Sequence, residues 1–203
     1  MATHPARDIE AWKWVIRVSV KAIGMEREIS AGGVVLRQIS DVWQVALIEP
    51  NKEAAFLVTS TTDSSATETP TTAKAPRQRS RALLALPKGL VDPGERPEDA
   101  AIREVREETG IVAEPVTKLS DNKYVYVRKW GDGKRVFKIV SFYLMRYVSG
   151  EIDDIAADMR IEVKRALWVP LGDAPKQLAY SNERAVVRQA KEYLEAHGLS
   201  ASG

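Results

Sequence analysis

Residues 89–111 of the chain read GLVDPGERPEDAAIREVREETGI and form its most informative segment. The second half predicts a helix over residues 97–109, because Pro97 suits the first turn of a helix and Gly110 suits its end. The first half concentrates glycine and proline, which is typical of a tight loop. The segment therefore predicts a shaped loop joined directly to a short helix.

The predicted helix gathers three acidic side chains on one face. At about 100° per residue, Glu104, Glu107 and Glu108 fall within an arc of about 100°. Like charges at these spacings repel one another by about a few tenths of a kcal/mol per pair, and Arg103 and Arg106 offset only part of this. Two interpretations stay open: a solvated, Glu-rich helix face, or carboxylates that bind a hard divalent cation.

The loop before the helix favours the second interpretation. Residues 86–89 (LPKG) lead into residues 92–95 (DPGE). A loop with glycines at these points can aim a backbone carbonyl at the cation that the carboxylates bind. Loop and helix together predict a site for Mg²⁺ or Mn²⁺.

The segment from Gly89 to Ile111 resembles the box of the Nudix hydrolases, G-x5-E-x7-R-E-U-x-E-E-x-G-U with U aliphatic, and matches every specified position. The resemblance implies an α/β fold, a Nudix α/β/α sandwich with a mixed β-sheet. It also implies hydrolysis of a nucleoside diphosphate linked to another moiety. Since every box glutamate is present, a Nudix-fold nucleotide sensor without turnover is the weaker, non-enzymatic alternative.

The family's functional residues can be placed one by one on this sequence. The resemblance implies that the metal ligands are the carbonyl of Lys88 and the carboxylates of Glu104, Glu107 and Glu108. It implies that Glu95 and Arg103 are supporting catalytic residues, whose opposite charges lock the loop to the helix. Plain helix capping is the alternative for that pair, and the two interpretations are compatible.

Related proteins often add a carboxylate from the loop after the hairpin, as a ligand or a general base. The candidates here lie in residues 151–162. We favour Glu162, because related proteins have an acid at a similar place before the residue that matches Trp168. A surface Glu in an acidic loop is the alternative interpretation, and the weaker competitors are Asp153, Asp154 and Asp158.

Phosphate oxygens favour cationic donors, and a purine favours an aromatic face. The candidate phosphate-binding side chains are Lys88, Arg128, Arg135 and Lys138. The candidate stacking residues are Tyr124, Tyr126 and Tyr143. Solvent-facing cations and core aromatic residues are the alternatives.

Segments outside the box indicate the substrate. Residues 31–35, 86–89, 135–145 and 168–171 resemble the branch of bacterial diadenosine polyphosphate hydrolases and MutT-like enzymes. A dinucleoside polyphosphate is therefore the leading substrate. Oxidised nucleoside triphosphates, RNA with a 5′ pyrophosphate, ADP-ribose and inositol pyrophosphates are alternatives, because specificity depends on loops outside the box.

The remaining patterns predict a mixed sheet with helices packed on it. The predicted strands are 31–37 paired with 42–49, then 82–86, a hairpin of 124–130 and 134–147, and 167–170. A last helix is expected to begin with Ser181 or Asn182 as its cap and to end at Gly198.

One Nudix domain is assigned to residues 28–198, after an N-terminal extension of residues 1–27. The extension either forms a contact between two copies in a homodimer or completes the core, and residues 14–20 alternate like a strand although a helix also fits. Residues 59–80 are rich in Thr and Ser and end in basic side chains. This predicts a disordered surface insertion, with a basic lid over an anionic substrate as the alternative.

The amino-acid composition excludes several classes of catalytic and metal site. The 203 residues include no Cys and 2 His, which excludes thiol nucleophiles and Cys-based metal sites and disfavours a Ser-His-Asp triad. The net charge of +2 predicts no stable nucleic-acid partner, so a small-molecule nucleotide is the expected one. An apolar run of about 18 residues is absent, as is a signal-peptide pattern, and we expect no membrane contact and a cytoplasmic location.

Overall fold

The computed structural model describes residues 25–51, 83–128 and 133–199. The strands there are β1 (Glu26–Ile39), β2 (Val42–Pro50), β3 (Lys88–Leu90), β4 (Ile111–Val127), β5 (Arg135–Gly150) and β6 (Val163–Pro170). The helices are α1 (Pro97–Thr109), α2 (Ala174–Gln177) and α3 (Ser181–His197), and a 3₁₀ turn spans Met159–Ile161.

These strands form a sheet in the order β4-β5-β1-β2-β6, and β3 pairs with β1. β1 and β5 run parallel, whereas the other pairs are antiparallel. The sheet is therefore mixed, as predicted.

Alternate residues of β1 pack on opposite faces of the sheet, because successive side chains of a strand point to opposite sides. Val35 belongs to the apolar cluster that contains Val105 of α1. Val34 and Leu36 belong to the cluster that contains Val187 of α3. The sheet lies between α1 and α3, which confirms the α/β/α sandwich.

Both predicted hairpins are confirmed. In the first, Leu36 pairs with Val45, and the turn uses Ser40 and Asp41 at φ 47° and 64°. Two positive φ values in a two-residue turn match the twist of antiparallel strands. In the second, β4 pairs with β5, although residues 129–132 of the predicted turn lie outside the described residues.

Several strand boundaries were predicted wrongly; β1, for example, begins at Glu26 rather than at residue 31. β4 begins at Ile111, directly after α1, because register shifts between residues 112 and 120 disrupt the alternation that the sequence pattern relies on. β6 begins at Val163 rather than residue 167. Within the predicted strand 82–86, the described residues make only isolated bridges, because Leu84 pairs with Leu178 and Ala85 with Ile48.

The cap predicted for the last helix is also wrong. Helix α3 begins at Ser181, and its N-cap is Tyr180, which has extended backbone and no side-chain capping bond. The Asn182 Oδ1 atom instead accepts a hydrogen bond from the Glu183 N–H at 2.9 Å. The predicted end at Gly198 is confirmed.

Residues 1–24 and 52–82 lie outside the described residues. The predictions for the N-terminal extension, for residues 14–20 and for the 59–80 insertion therefore stay predictions, as do the domain boundaries. Across the described ranges, no helix is both long and apolar enough to cross a membrane.

Candidate active site

Helix α1 presents its acidic face towards the loop that precedes it. The helix has the predicted bounds and ends at Gly110, whose φ is 80° and whose N–H donates to the Arg106 carbonyl at 2.9 Å. The buried face of Ala101 and Val105 fixes the rotation of the helix on the sheet. As a result, Glu104 and Glu108 are only 8% and 6% exposed.

Gly89 gives Glu104 the space that its carboxylate occupies. Strand β3 pairs with β1 through Ala31 and Gly89, which places the Gly89 Cα beside helix α1. A Cβ atom at residue 89 would collide with the carboxylate of Glu104. The first glycine of the box is therefore required by a close approach rather than by an unusual φ.

Glu108 is the most strongly perturbed carboxyl of the site. Its Oε2 atom accepts a hydrogen bond from the Lys88 N–H at 2.6 Å. Burial raises its pKa to about 8, and the negative charges of Glu104 and Glu162 add to the shift, against the opposing charge of Lys88. Burial also raises the pKa of Glu104, although Arg103 opposes it.

Arg103 joins the helix to the loop. Its Nη1 atom lies 2.7 Å from Glu104 Oε1 and 3.0 Å from Glu107 Oε2, and its Nη2 atom donates to the Leu90 carbonyl at 2.9 Å. Two further bonds, from Nε and Nη2, reach the carboxylate of Glu95 at 3.0 Å each. One guanidinium thus connects three carboxylates and one carbonyl.

The donor set fits a hard divalent cation. All implied ligands are oxygens, and burial raises the pKa of both Glu104 and Glu108, so a cation close to them would stabilise their ionised forms. Within the described ranges, however, no three acidic or histidine side chains lie close enough together to hold a metal ion as they stand. Arg103 is the cation that Glu104 and Glu107 contact instead.

Glu162 follows the 3₁₀ turn before β6. Its carbonyl accepts the Asn51 N–H at 2.8 Å, which ties the turn to the end of β2. Its charge raises the pKa of both Glu104 and Glu108, so the side chain is electrostatically coupled to the acidic face. Asp153, by contrast, binds Arg160 at 2.8 Å and the Ala166 N–H at 2.7 Å.

Three of the four candidate phosphate-binding side chains face carboxylates. Lys88 Nζ lies 3.2 Å from Glu183 Oε1, and Lys138 Nζ lies 3.4 Å from Glu28 Oε2. The guanidinium of Arg128 lies 3.3 Å from the Glu28 carboxylate and 3.0 Å from the Glu26 carboxylate. The fourth candidate, Arg135, is exposed at the start of β5.

Two cavities border this region. A cleft of about 710 Å³ lies beside α1 and is lined by Arg103, Glu107 and Asp158. A cavity of about 620 Å³ lies on the other side of the sheet and is lined by Lys88 and Tyr124. Glu107 therefore borders the cleft, whereas Glu104 and Glu108 are buried. Lys88 contacts Glu108 with its backbone N–H and lines the aromatic-lined cavity with its side chain.

The stacking candidates have different environments. Tyr124 lines the 620 Å³ cavity together with Tyr180, which the sequence did not single out. Tyr126 donates its hydroxyl hydrogen to Glu28 at 2.9 Å. Tyr143 is 8% exposed in the core beneath α1.

The profile of the NUDIX domain matches residues 45–190. The chain belongs to the NUDIX domain family. This match covers more than half of the chain and includes the whole box.

Two curated Nudix relatives are similar in sequence. MutT4, a mutator protein of Mycobacterium tuberculosis, is 42% identical over 118 residues, which are 58% of this chain and 45% of that protein. An RNA pyrophosphohydrolase of Sphingopyxis alaskensis is 36% identical over 113 residues, 51% of this chain and 70% of that protein. The chain thus spans less than half the length of MutT4.

A crystal structure of an Ap4A hydrolase from C. elegans, in a binary complex, has the same fold. The match covers 83% of this chain and 98% of the C. elegans chain, with 22% sequence identity and a TM-score of 0.54. This likeness supports the Nudix fold assigned from the box.

Sequence reasoning missed Glu183, which lines the 620 Å³ cavity and is 2% exposed. A signal for it exists in the sequence. Glu183 precedes Val186, Val187 and Ala190 at the spacing of one helix face, so a charge lies within the apolar stripe of α3.

Proposed function

We propose that this Nudix chain is a divalent-metal-dependent hydrolase that cleaves the pyrophosphate linkage of a nucleoside diphosphate linked to another moiety, with a dinucleoside polyphosphate as its substrate. One observation supports this most. The carboxyl groups of Glu104 and Glu108 are buried and have raised pKa values. Gly89, which has no side chain, leaves the space that the Glu104 carboxylate occupies. Such a cluster favours a divalent cation and the phosphates that bind it.

Glu104, Glu107, Glu108 and the Lys88 carbonyl would hold Mg²⁺ or Mn²⁺. The bound cation would polarise phosphate oxygens and lower the pKa of water. Arg103 orients Glu104 and Glu107 through its two short contacts. Glu95 holds Arg103 in place, and Glu162 is our candidate for the general base because its charge is coupled to the same cluster.

The cavity beside Lys88 suggests where the nucleoside would bind. The polyphosphate would lie at Glu104 and Glu108, and the nucleoside would enter the cavity lined by Tyr124 and Tyr180. Aromatic faces favour stacking with a base. Lys88 would stand between the two parts, since it contacts Glu108 through its backbone and Glu183 through its side chain.

A hydrolysis screen with Mg²⁺ or Mn²⁺ tests the proposal. The panel is diadenosine tetraphosphate, normal and oxidised nucleoside triphosphates, ADP-ribose and 5′-triphosphorylated RNA, with products separated by chromatography. We expect diadenosine tetraphosphate to be the preferred substrate. Glu108→Gln should lose at least about 10²-fold in turnover while it stays folded, since charge stabilisation supplies most of the rate in phosphoryl transfer.

Glu192→Gln is the matched control, because Glu192 is exposed on α3 away from this cluster. Preference for oxidised nucleotides or RNA would replace the proposed substrate and keep the class of reaction. No turnover of any compound would overturn the enzymatic proposal in favour of a nucleotide sensor. The cytoplasmic location and the contact between two copies stay predictions.

A further inference from the structure

Glu183 is a carboxylate buried within the apolar face of α3. It is 2% exposed, and its Oε2 atom accepts a hydrogen bond from the Leu86 N–H at 2.9 Å. Its Oε1 atom lies 3.2 Å from Lys88 Nζ. A buried charge is unfavourable unless it is paired, and here one carboxylate pairs with both ends of a three-residue segment.

The segment of residues 86–88 also contacts the acidic face of α1. The Lys88 N–H donates to Glu108 at 2.6 Å, while its Nζ atom donates to the Leu86 carbonyl at 3.3 Å. The Pro87 carbonyl accepts the Gly33 N–H of β1 at 3.1 Å. Lys88 therefore contacts Glu183 with its side chain and an implied metal ligand, Glu108, with its backbone N–H.

The charge of Glu183 acts on Lys88 rather than on Leu86. A neutral amide oxygen could accept the Leu86 N–H equally well, whereas only a carboxylate neutralises the ammonium. The Lys88 ammonium also faces the charge of Lys138, and Tyr124 and Tyr180 border the same cavity. A charged partner from α3 is therefore needed to keep the Lys88 side chain in this position.

We propose that Glu183 is a positioning residue for the metal site: through Lys88 it fixes the segment before β3 so that Glu108 is held in place for the cation. This inference rests on the proposed function. Glu183 acts from the opposite side of the sheet and touches neither the cation nor the phosphates. A purely structural pair would instead contribute to folding and leave the metal site of the folded protein unchanged.

The experiment measures Mn²⁺ binding to the free protein by calorimetry, together with kcat, KM and Tm, for Glu183→Gln and the exposed control Glu192→Gln. Outer partners of metal ligands typically change metal affinity or activity by about 10- to 100-fold. We expect Glu183→Gln to weaken Mn²⁺ binding about tenfold and to lower kcat similarly. Unchanged Mn²⁺ affinity and kcat in the folded variant would overturn the inference.

Lys88→Met and the double variant test the route through Lys88. Because Lys88→Met keeps the backbone contacts, we expect it to reproduce the effect of Glu183→Gln, and we expect the double variant to be no worse than either single one. Independent, multiplicative losses would contradict the route. If Glu183→Gln fails to fold, Lys88→Met alone decides, since normal Mn²⁺ affinity in that variant would be incompatible with the inference.

The binding measurement separates this inference from the proposed function. Wild-type protein that binds Mn²⁺ but hydrolyses no substrate would refute the proposed activity. The Mn²⁺ affinity of Glu183→Gln would then be the test of the inference. Wild-type protein that binds no Mn²⁺ would refute the metal assignment itself and the inference with it.

Discussion

The Glu104 carboxylate can occupy its position in the candidate metal site only because residue 89 is a glycine. The carboxylate of Glu104 lies where a side chain at residue 89 would begin, and this carboxylate also binds Arg103 at 2.7 Å. Any larger residue at 89 must displace the carboxylate or the strand. A change of one methyl group therefore tests the geometry of the whole cluster.

Gly89→Ala should lower metal-dependent turnover by at least about 10²-fold, because displaced ligands lose their alignment with the substrate. It should also lower Tm, since the new Cβ overpacks a buried contact. Gly172→Ala is the control, because a Cβ at residue 172 meets no heavy atom within 4 Å. Normal turnover of Gly89→Ala would contradict the placement of Glu104 in the metal site.

At the scale of elements, the loop of residues 90–96 and helix α1 act as one unit. Arg103 on the helix binds Glu95 and the Leu90 carbonyl in the loop, and the Asp92 N–H donates to Glu95 at 3.0 Å. The planar fork of a guanidinium can satisfy these partners together, whereas an ammonium is a single point charge. The loop is therefore fixed by the shape of Arg103 as well as by its charge.

Arg103→Lys should release the loop although it conserves the charge. We expect faster amide hydrogen exchange over residues 90–96 and a loss of about tenfold in turnover, similar to that for other outer partners of metal ligands. The exchange is measured by mass spectrometry, with Arg188→Lys on α3 as the control. Unchanged exchange in the loop would mean that the ion pair with Glu95 does not hold it.

At the scale of the whole molecule, the buried carboxyls make folding depend on pH. The pKa of Glu108 is about 8 in the folded protein, against 4.5 for an ordinary glutamate. A group whose pKa is raised by folding stabilises the folded state below its unfolded pKa, and this stabilisation is lost as the pH rises through the folded value. The metal-free protein should therefore lose stability between about pH 4.5 and pH 8.

Glu108→Gln should remove much of this loss, because the amide stays neutral at every pH. We expect the free energy of unfolding of the metal-free variant to exceed that of the wild type by ~2 kcal/mol or more at pH 8 and to differ little at pH 4.5. Urea denaturation with a chelator at a series of pH values measures this. Parallel pH profiles for the two proteins would show that Glu108 is not the group responsible.

Much of the site could be predicted from local sequence. The bounds of α1 and the positions of Glu104, Glu107 and Glu108 on it follow from residues 97–110, because helix geometry depends on neighbours in the chain. The contact between Arg103 and Glu95 spans eight residues within the same box. The functional roles of these residues remain predictions that the experiments above test.

The partners of the candidate phosphate-binding side chains could not be predicted in this way. Lys88 meets Glu183 from a helix 95 positions later in the chain. Arg128 and Lys138 both meet Glu28 of β1, because β1 lies next to β5 only after the sheet forms. Charge type can be read from the sequence, whereas pairing depends on contacts between distant segments.

The sequence by itself determined the family, the mixed α/β fold and the helix with its three glutamates, because these follow from local spacing and from a motif confined to 23 residues, 89–111. Only the tertiary structure decided that Glu104 and Glu108 are buried and that Lys88 faces a carboxylate of α3. It also decided that β4 begins directly after α1. The physical reason is the same in each case: burial and pairing depend on which distant strands and helices pack together.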